Sequence, residues 1–313
     1  MRRPTVRADW SGREDAADGE AARRWHQLVR TRDTAAAPVA LIGFACDAGV
    51  ARNRGRVGAV TGPNALRKAL ANMPAHRVRE VDDLGDVTCA GDALEQAQSE
   101  YGEVVAAAIR AGSLAIGLGG GHEIAYGSYL GLAAALPAGR AAGIVNFDAH
   151  LDLRADARGN SGTPFRQALE HAAAAGRRTE YLCIGASRFA NTAALFERAR
   201  SLGVRWVLDE DVRLDRFDAL REELAGLAGR VDVLYLTVCL DAFPAAWAPG
   251  VSAPAALGID PGLVERLLDV VTASGKLRVA DVAELNPKFD VDSRTARLAA
   301  RLIARIAEAV SPP

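Results

Sequence analysis

An alternation that runs through most of the chain constrains the fold more than any other feature. Short apolar runs, PVALIGFAC (38–46), LAIGLGGG (114–121), AAGIVNFD (141–148), YLCIGAS (181–187), VDVLYLTVCL (231–240) and LRVADVAEL (277–285), are interleaved with segments of helical period. The helical segments are GPNALRKALA (62–71), a stretch from about Glu123, NTAALFERARSLG (191–203) and RTARLAARLIARIAEAV (294–310). Strands that alternate with helices pair in parallel through crossovers. Parallel strands are buried on both faces, so they read as unbroken apolar runs. The pattern predicts an α/β fold, a mainly parallel sheet covered by helices on both faces.

Half of the 313 residues are hydrophobic, enough for one large domain. We assign residues 38–313 to it. Residues 1–37, rich in Arg, Asp, Glu and Ala, are expected to form an N-terminal arm with one helix around EAARRWHQLVR. Lys and Arg total 38 against 39 Asp and Glu, so charge gives no reason to expect nucleic acid or an anionic membrane as partner. Cys46, Cys89, Cys183 and Cys239 lie far apart with no C-x-x-C pair, so neither a disulfide framework nor a zinc knot is indicated, and a reducing compartment fits. No apolar segment approaches the roughly 18 residues of a membrane span, so a cytoplasmic location is expected.

Polar residues follow the apolar runs. Open α/β sheets bind ligands at the carboxyl ends of their strands, and there the chain carries His122 and Glu123, then Asp148, His150 and Asp152, then Asp241, then Asp281 and Glu284. In NFDAHLDLR (146–154) the acidic and imidazole groups recur at every second position. If strand geometry extends into the motif they share one face, a costly crowding of charge that a divalent cation would relieve. The alternative is a solvated loop whose Asp side chains accept nearby backbone amides. A carboxylate-rich set of ligands favours Mn²⁺ over a thiolate-seeking metal. GLGGGHE also invites reading as a nucleotide loop, but His122 stands where the fingerprint needs its third Gly and no G-K-[ST] is present. Its glycines are expected to let the backbone turn tightly beneath the site. The long loop RADARGNSGTPFRQ (154–167) follows the motif and is expected to line the same site.

Taken together, GLGGGHE, NFDAHLDLR, the segment TVCLDAFPAAWAPGVSAPAALGID and VAELNP resemble the ureohydrolase family of arginase, agmatinase and formimidoylglutamase, in order and spacing. The resemblance runs from WSGRED to the last helix. SGTPFRQ, SRFANTAALF and APGVSAPAA are similar to its formimidoylglutamase branch. Arginases carry Asp before the first-motif His and a further catalytic His after the second motif, and this chain does not. The resemblance implies a three-layer α-β-α sandwich with two Mn²⁺ ions per subunit, held by His122, Asp148, His150, Asp152 and Asp241, with Asp148 bridging. In place of the family's S-x-D-x-D stands Thr237-x-Cys239-x-Asp241, so Cys239 replaces a bridging carboxylate. Cys239 is then either a soft ligand of the second site or a small buried apolar side chain.

The activity so implied is hydrolysis of N-formimidoyl-L-glutamate to L-glutamate and formamide. Asp152 would transfer the proton and Glu284 would bind the amidine nitrogens. Arg154, Asn160, Ser161, Arg188 and Asn191 are the candidates for holding the substrate carboxylates. Two other readings stay open: a hydrolase of another amidine or guanidino compound, and a non-catalytic member whose cluster Cys239 has impaired. The family also implies a homo-oligomer acting on a small molecule.

Overall fold

The computed structural model describes residues 2–3 and 10–310. The strands are β1 (Arg2–Arg3), β2 (Val29–Thr31), β3 (Val39–Ala45), β4 (Val81–Thr88), β5 (Leu114–Leu118), β6 (Ala142–Phe147), β7 (Thr179–Ala186), β8 (Arg205–Leu208), β9 (Val233–Cys239) and β10 (Leu277–Ala283). They form one sheet in the order β4-β3-β5-β10-β9-β6-β7-β8, parallel throughout, with β2 parallel and β1 antiparallel to β4 at one edge.

Strand alternation divides the core in two. Val39 and Leu41 face one layer, and Ala40, Ile42 and Phe44 face the other. Helices α3 (Gly62–Ala71), α8 (Phe217–Arg230), α9 (Pro261–Ala273) and α10 (Arg294–Val310) pack side by side on the first face. On the second lie α4 (Leu94–Arg110), α5 (Ile124–Ala135) and α6 (Pro164–Ala174), with α7 (Ala193–Ser201) contributing Leu195 and Ala199. This is the three-layer sandwich expected. Helix α10 is amphipathic: Leu302, Ile303 and Ile306 are fully buried, while Arg301 and Arg305 reach Glu265 and Asp269 on α9. Helix α5 is enclosed by its neighbours, and α4 can approach because a Cβ at Gly131 would lie 2.6 Å from the Val105 side chain.

Consecutive strands β5 and β6 diverge to opposite sides of the β10-β9 pair. That is a topological switch point, and it opens a crevice at the carboxyl ends of β5, β10, β9 and β6.

Residues 1 and 4–9 of the expected arm lie outside the described residues. The rest is stitched to β4. Trp10 Nε1 donates to Asp83 Oδ2 at 2.6 Å, and the amides of Ala36 and Ala37 donate to Asp82 Oδ2 at 2.6 and 2.7 Å. Helix α1 (Trp25–Leu28) falls within the expected helical stretch but is a single turn that gives way to β2. On the other side of Asp83, the fully buried Arg67 of α3 grips it with Nε at 2.8 Å and Nη2 at 3.0 Å, and reaches Asp86 with Nη1 at 2.6 Å. Removing one member of a buried pair strands the other's charge, at a cost of about 3–5 kcal/mol. Arg67→Met should therefore lower the urea midpoint of unfolding by a corresponding margin. An unchanged midpoint would show that Trp10 and the Gly85 amide, which also bond Asp83, suffice alone.

Candidate metal centre and active site

Strand β6 ends at Phe147, one residue before the acidic motif. Here the chain departs from the expected strand geometry. The Asp148 amide still reaches Ile184 O at 3.1 Å, but Asp148 Oδ1 accepts the His150 amide at 2.8 Å, and Asp152 has a left-handed φ of 50°. The Asp148 carboxylate competes for the backbone and turns the chain out of the sheet. Asp148, His150 and Asp152 are gathered by this turn, not by strand alternation. Asn191 holds the turn: its Oδ1 accepts the Leu151 amide at 2.9 Å, and its Nδ2 donates to Ala149 O at 2.9 Å and Ser187 O at 2.8 Å.

His122 follows β5 after Gly119, Gly120 and Gly121. The chain bends and turns here as expected, but none of the three has a positive φ. What they supply is proximity: a Cβ on Gly120 would stand 1.9 Å from Cys46 O, and one on Gly119 would stand 2.5 Å from Val282 O. The close approach docks the loop on β10, where the Glu284 amide donates to Gly120 O at 2.8 Å. The Glu284 backbone itself is left-handed, φ 73°. Its Oε1 accepts the His122 amide at 2.9 Å.

His122, Asp148, His150, Asp152 and Asp241 converge. His122 Nδ1 lies 3.0 Å from Asp148 Oδ2 and 3.0 Å from Asp152 Oδ2. His150 Nδ1 lies 3.2 Å from Asp241 Oδ2 and 3.5 Å from Asp148 Oδ1. Two donor groups result, His122 with Asp148 and Cys239, and Asp148 with His150 and Asp241, each with its donor atoms within 4.8 Å of one another. Asp148 belongs to both. Cys239, the last residue of β9, is buried and part of the cavity wall.

The electrostatics are those of a cation site. Burial raises the Glu284 carboxyl to about 7, and the Asp241 charge adds to the shift. Burial and the Asp148 charge raise Asp152 to about 6. Asp148 is buried too, yet His122 and His150 hold its carboxyl well below the usual range. Burial, reinforced by Asp148 and Asp241, keeps the Cys239 thiol protonated. His122 Nδ1, Asp241 Oδ1 and Glu284 Oε2 are buried without a hydrogen-bond partner. Clustered oxygen and imidazole donors with unsatisfied atoms fit a hard divalent ion such as Mn²⁺.

Behind His122, its other ring nitrogen Nε2 meets Thr237 Oγ1 at 3.0 Å. Thr237 is the cross-strand partner of Asp281, whose Oδ2 accepts Ser128 Oγ at 2.5 Å and Tyr235 Oη at 2.7 Å. Asp281 is buried outside the cavity wall, so this strand-end carboxylate backs the centre instead of joining it.

A cavity of about 280 Å³ opens above the cluster, and both Arg154 and Ser161 line it. The other substrate candidates do not. Arg188 pairs with Glu210 at 2.8 Å, Asn191 braces the ligand turn, and Asn160 shapes its own loop by bonding Asp156 and the Gly162 amide. Asn53, Arg54 and Ser252 line the cavity and were not singled out from sequence. Ser252 lies within APGVSAPAA. The run RNRGR (52–56) follows the β3 strand run without any motif that marks it.

Comparison with known proteins agrees with this geometry. A profile of the arginase family matches residues 37–308. The formimidoylglutamase of Ralstonia nicotianae is 53% identical over 99% of this chain and 96% of its own length. That of Chromobacterium violaceum is 52% identical over 94% and 95%. Among solved structures, Trypanosoma cruzi formiminoglutamase with Mn²⁺ aligns with a TM-score of 0.79 at 26% identity, covering 88% of this chain and 95% of that one. The formimidoylglutamase of Bacillus subtilis shares the fold at a TM-score of 0.85 and 21% identity, covering 96% and 94%.

Proposed function

This chain belongs to the arginase family, and from that premise we propose that it hydrolyses N-formimidoyl-L-glutamate to L-glutamate and formamide. The observation that carries the reading is the pair of donor groups sharing Asp148 at the foot of a cavity that also holds Glu284 and Arg154. It is supported by about half identity, over nearly full length, to proteins named formimidoylglutamase.

In this reading His122, Asp148, Asp152, His150 and Asp241 hold Mn²⁺, two ions per subunit. Cys239 is the weakest member of the ring, since it must lose a proton before it can coordinate. Bound there, the ions supply Lewis acidity that makes hydroxide available near neutral pH. Glu284 is fixed by the His122 amide on Oε1 and presents Oε2 to the amidine N–H groups. Water adds to the formimidoyl carbon, the bond from that carbon to the glutamate nitrogen breaks, and oxygen leaves with formamide. Asp152, at the cavity wall beside His122, carries the proton from the water to the departing amine. Arg154 and Ser161 receive substrate carboxylate.

Thr237 orients the first ligand, and Asp281, its neighbour in strand register, backs it. In the tautomer that donates Nε2–H to Thr237 Oγ1, the lone pair of His122 lies on Nδ1, toward Asp148 and Asp152. Removing such a support weakens metal binding by about 10–100-fold. Asp281→Asn should show that loss in a Mn²⁺ titration followed calorimetrically. Wild-type affinity in the variant would remove the relay from the account.

Residues 38–313 form the catalytic domain in this proposal, with residues 10–37 of the arm fastened to its sheet edge. A cytoplasmic setting suits the four free thiols, and no described helix is long and apolar enough to cross a membrane. A homo-oligomer is part of the same reading, supported by the exposed Phe189 and Leu257 beside His150. The deciding experiment combines metal analysis with formamide release. Turnover of N-formimidoyl-L-glutamate by the Mn²⁺-loaded protein is expected. Turnover of guanidino compounds alone, or of nothing, would overturn the assignment.

A further inference from the structure

We propose that Arg54 determines specificity: with Arg154 it forms a two-arginine clamp that reads both carboxylates of a dicarboxylic amidine. The inference rests on the substrate reading above and names a residue that reading did not include.

Most arginines near the cavity are already engaged. Arg52 bonds Asp92, Glu95 and Gly159 O; Arg158 bonds Asp92; Arg56 bonds Pro249 O and Val251 O and stacks 4.1 Å over the Phe289 ring. Arg54 and Arg154 differ. Both line the catalytic cavity, and neither guanidinium has a hydrogen bond or ion pair among the described residues. Both also line an adjoining cavity of about 470 Å³ with Arg158 and Asn160.

The backbone at Arg54 gives an independent argument. Helix α2 (Ala48–Arg52) ends at Asn53, and Arg54 follows with a left-handed φ of 61°. Glycine is the usual residue at this position, and a side chain there is strained. The surroundings enforce the conformation. The Arg54 amide donates to Ala51 O at 3.0 Å, the Gly55 amide to Val50 O at 2.9 Å, and Asn53 Nδ2 to Ser161 Oγ at 3.0 Å. This strained turn is thereby tied to the loop that carries Arg154. A guanidinium without a partner in the fold returns none of that cost, whereas an anionic ligand between the two arginines returns it.

Charge along the cavity is separated. Its buried end holds Asp152, Asp241 and Glu284, while its exposed end holds Arg54 and Arg154. N-formimidoyl-L-glutamate has the matching polarity, an amidinium at one end and two carboxylates at the other. A guanidine with a cationic tail would meet repulsion at the exposed end.

The test uses the Mn²⁺-loaded full chain and its Arg54→Met and Arg54→Lys variants. Arg54→Met should raise KM for N-formimidoyl-L-glutamate by about 10–100-fold with kcat changed only a few-fold, and Arg54→Lys should recover part of the loss. Of two analogues lacking one carboxylate charge, N-formimidoyl-4-aminobutyrate and N-formimidoyl-L-glutamine, one should be indifferent to Arg54→Met because the charge Arg54 binds is missing. An equal rise in KM for all three compounds, or for none, overturns the clamp. So does a fall in kcat alone. Calorimetric binding of L-glutamate, which needs no turnover, should weaken by a similar factor in Arg54→Met. If the wild type binds L-glutamate through Arg54 yet hydrolyses no N-formimidoyl-L-glutamate, the substrate assignment fails while the clamp stands. Unaltered L-glutamate binding in the variant sinks the clamp whatever the substrate.

Discussion

Asp148→Ala should abolish turnover, a fall of at least about 10³-fold, and should also erase the stabilisation that Mn²⁺ confers on the wild type. No other side chain belongs to both donor groups, so its loss opens both at once. It would also remove the acceptor for one N–H of Asn146 Nδ2, which donates to Asp148 Oδ2 at 3.0 Å, and for the His150 amide that shapes the turn. A ligand that binds only the folded state raises stability by about 2.7 kcal/mol at one hundred times its dissociation constant. Thermal melts with and without Mn²⁺ should therefore separate for the wild type and coincide for the variant. A variant that still gains thermal stability from Mn²⁺ would disprove the shared-ligand arrangement, independently of any assay for product.

Glu284→Gln should cost about 10²–10³-fold in kcat/KM and leave Mn²⁺ affinity nearly unchanged. The substitution keeps the shape. Glutamine Oε1 can still accept the His122 amide, so the loop between β5 and α5 stays docked. What changes is the far end of the side chain, where an oxygen with no partner becomes an N–H donor pointed at the donors of an amidine. Two sets of donors facing one another repel. Wild-type kcat/KM in this variant would assign amidine binding to another group. A large loss of Mn²⁺ would instead make Glu284 part of the metal site.

The parallel sandwich could be read from the sequence because its buried strands are apolar on both faces, as in LAIGL and VLYLTVC. Strand β4 escaped that reading. VDDLGDVT carries three carboxylates, and only tertiary partners explain why they sit in a strand: the Ala36 and Ala37 amides on Asp82, and Arg67 with Trp10 on Asp83. Those partners lie elsewhere in the chain, beyond any local pattern. Helices α4, α6, α8 and α9 were likewise missed, as was the short edge strand β8.

At the site, position after a strand was the informative signal. It singled out His122, Asp148, Asp241 and Glu284, which neighbouring strands bring to one crevice. Side-chain use was not legible. Arg188 and Asn191 belong to segments of the right resemblance, but one is spent on Glu210 and the other on the backbone of the ligand turn. Arg54 went unnoticed for the converse reason, since a left-handed arginine looks like any other arginine until its backbone is seen.

The insertion of β9 and β10 between β5 and β6 also orders events during synthesis. Until residue 283 has emerged, no strand joins β5 to β9, and neighbouring strands sit only about 4.8 Å apart once it does. His122, after β5, stays on one flank and the 148–152 turn, after β6, on the other, with the place of β10 between the two halves unfilled. The group of Asp148, His150 and Asp241 needs only β6 and β9, whereas the group that adds His122 waits for β10, so a chain truncated before residue 277 should assemble one donor group and not the other.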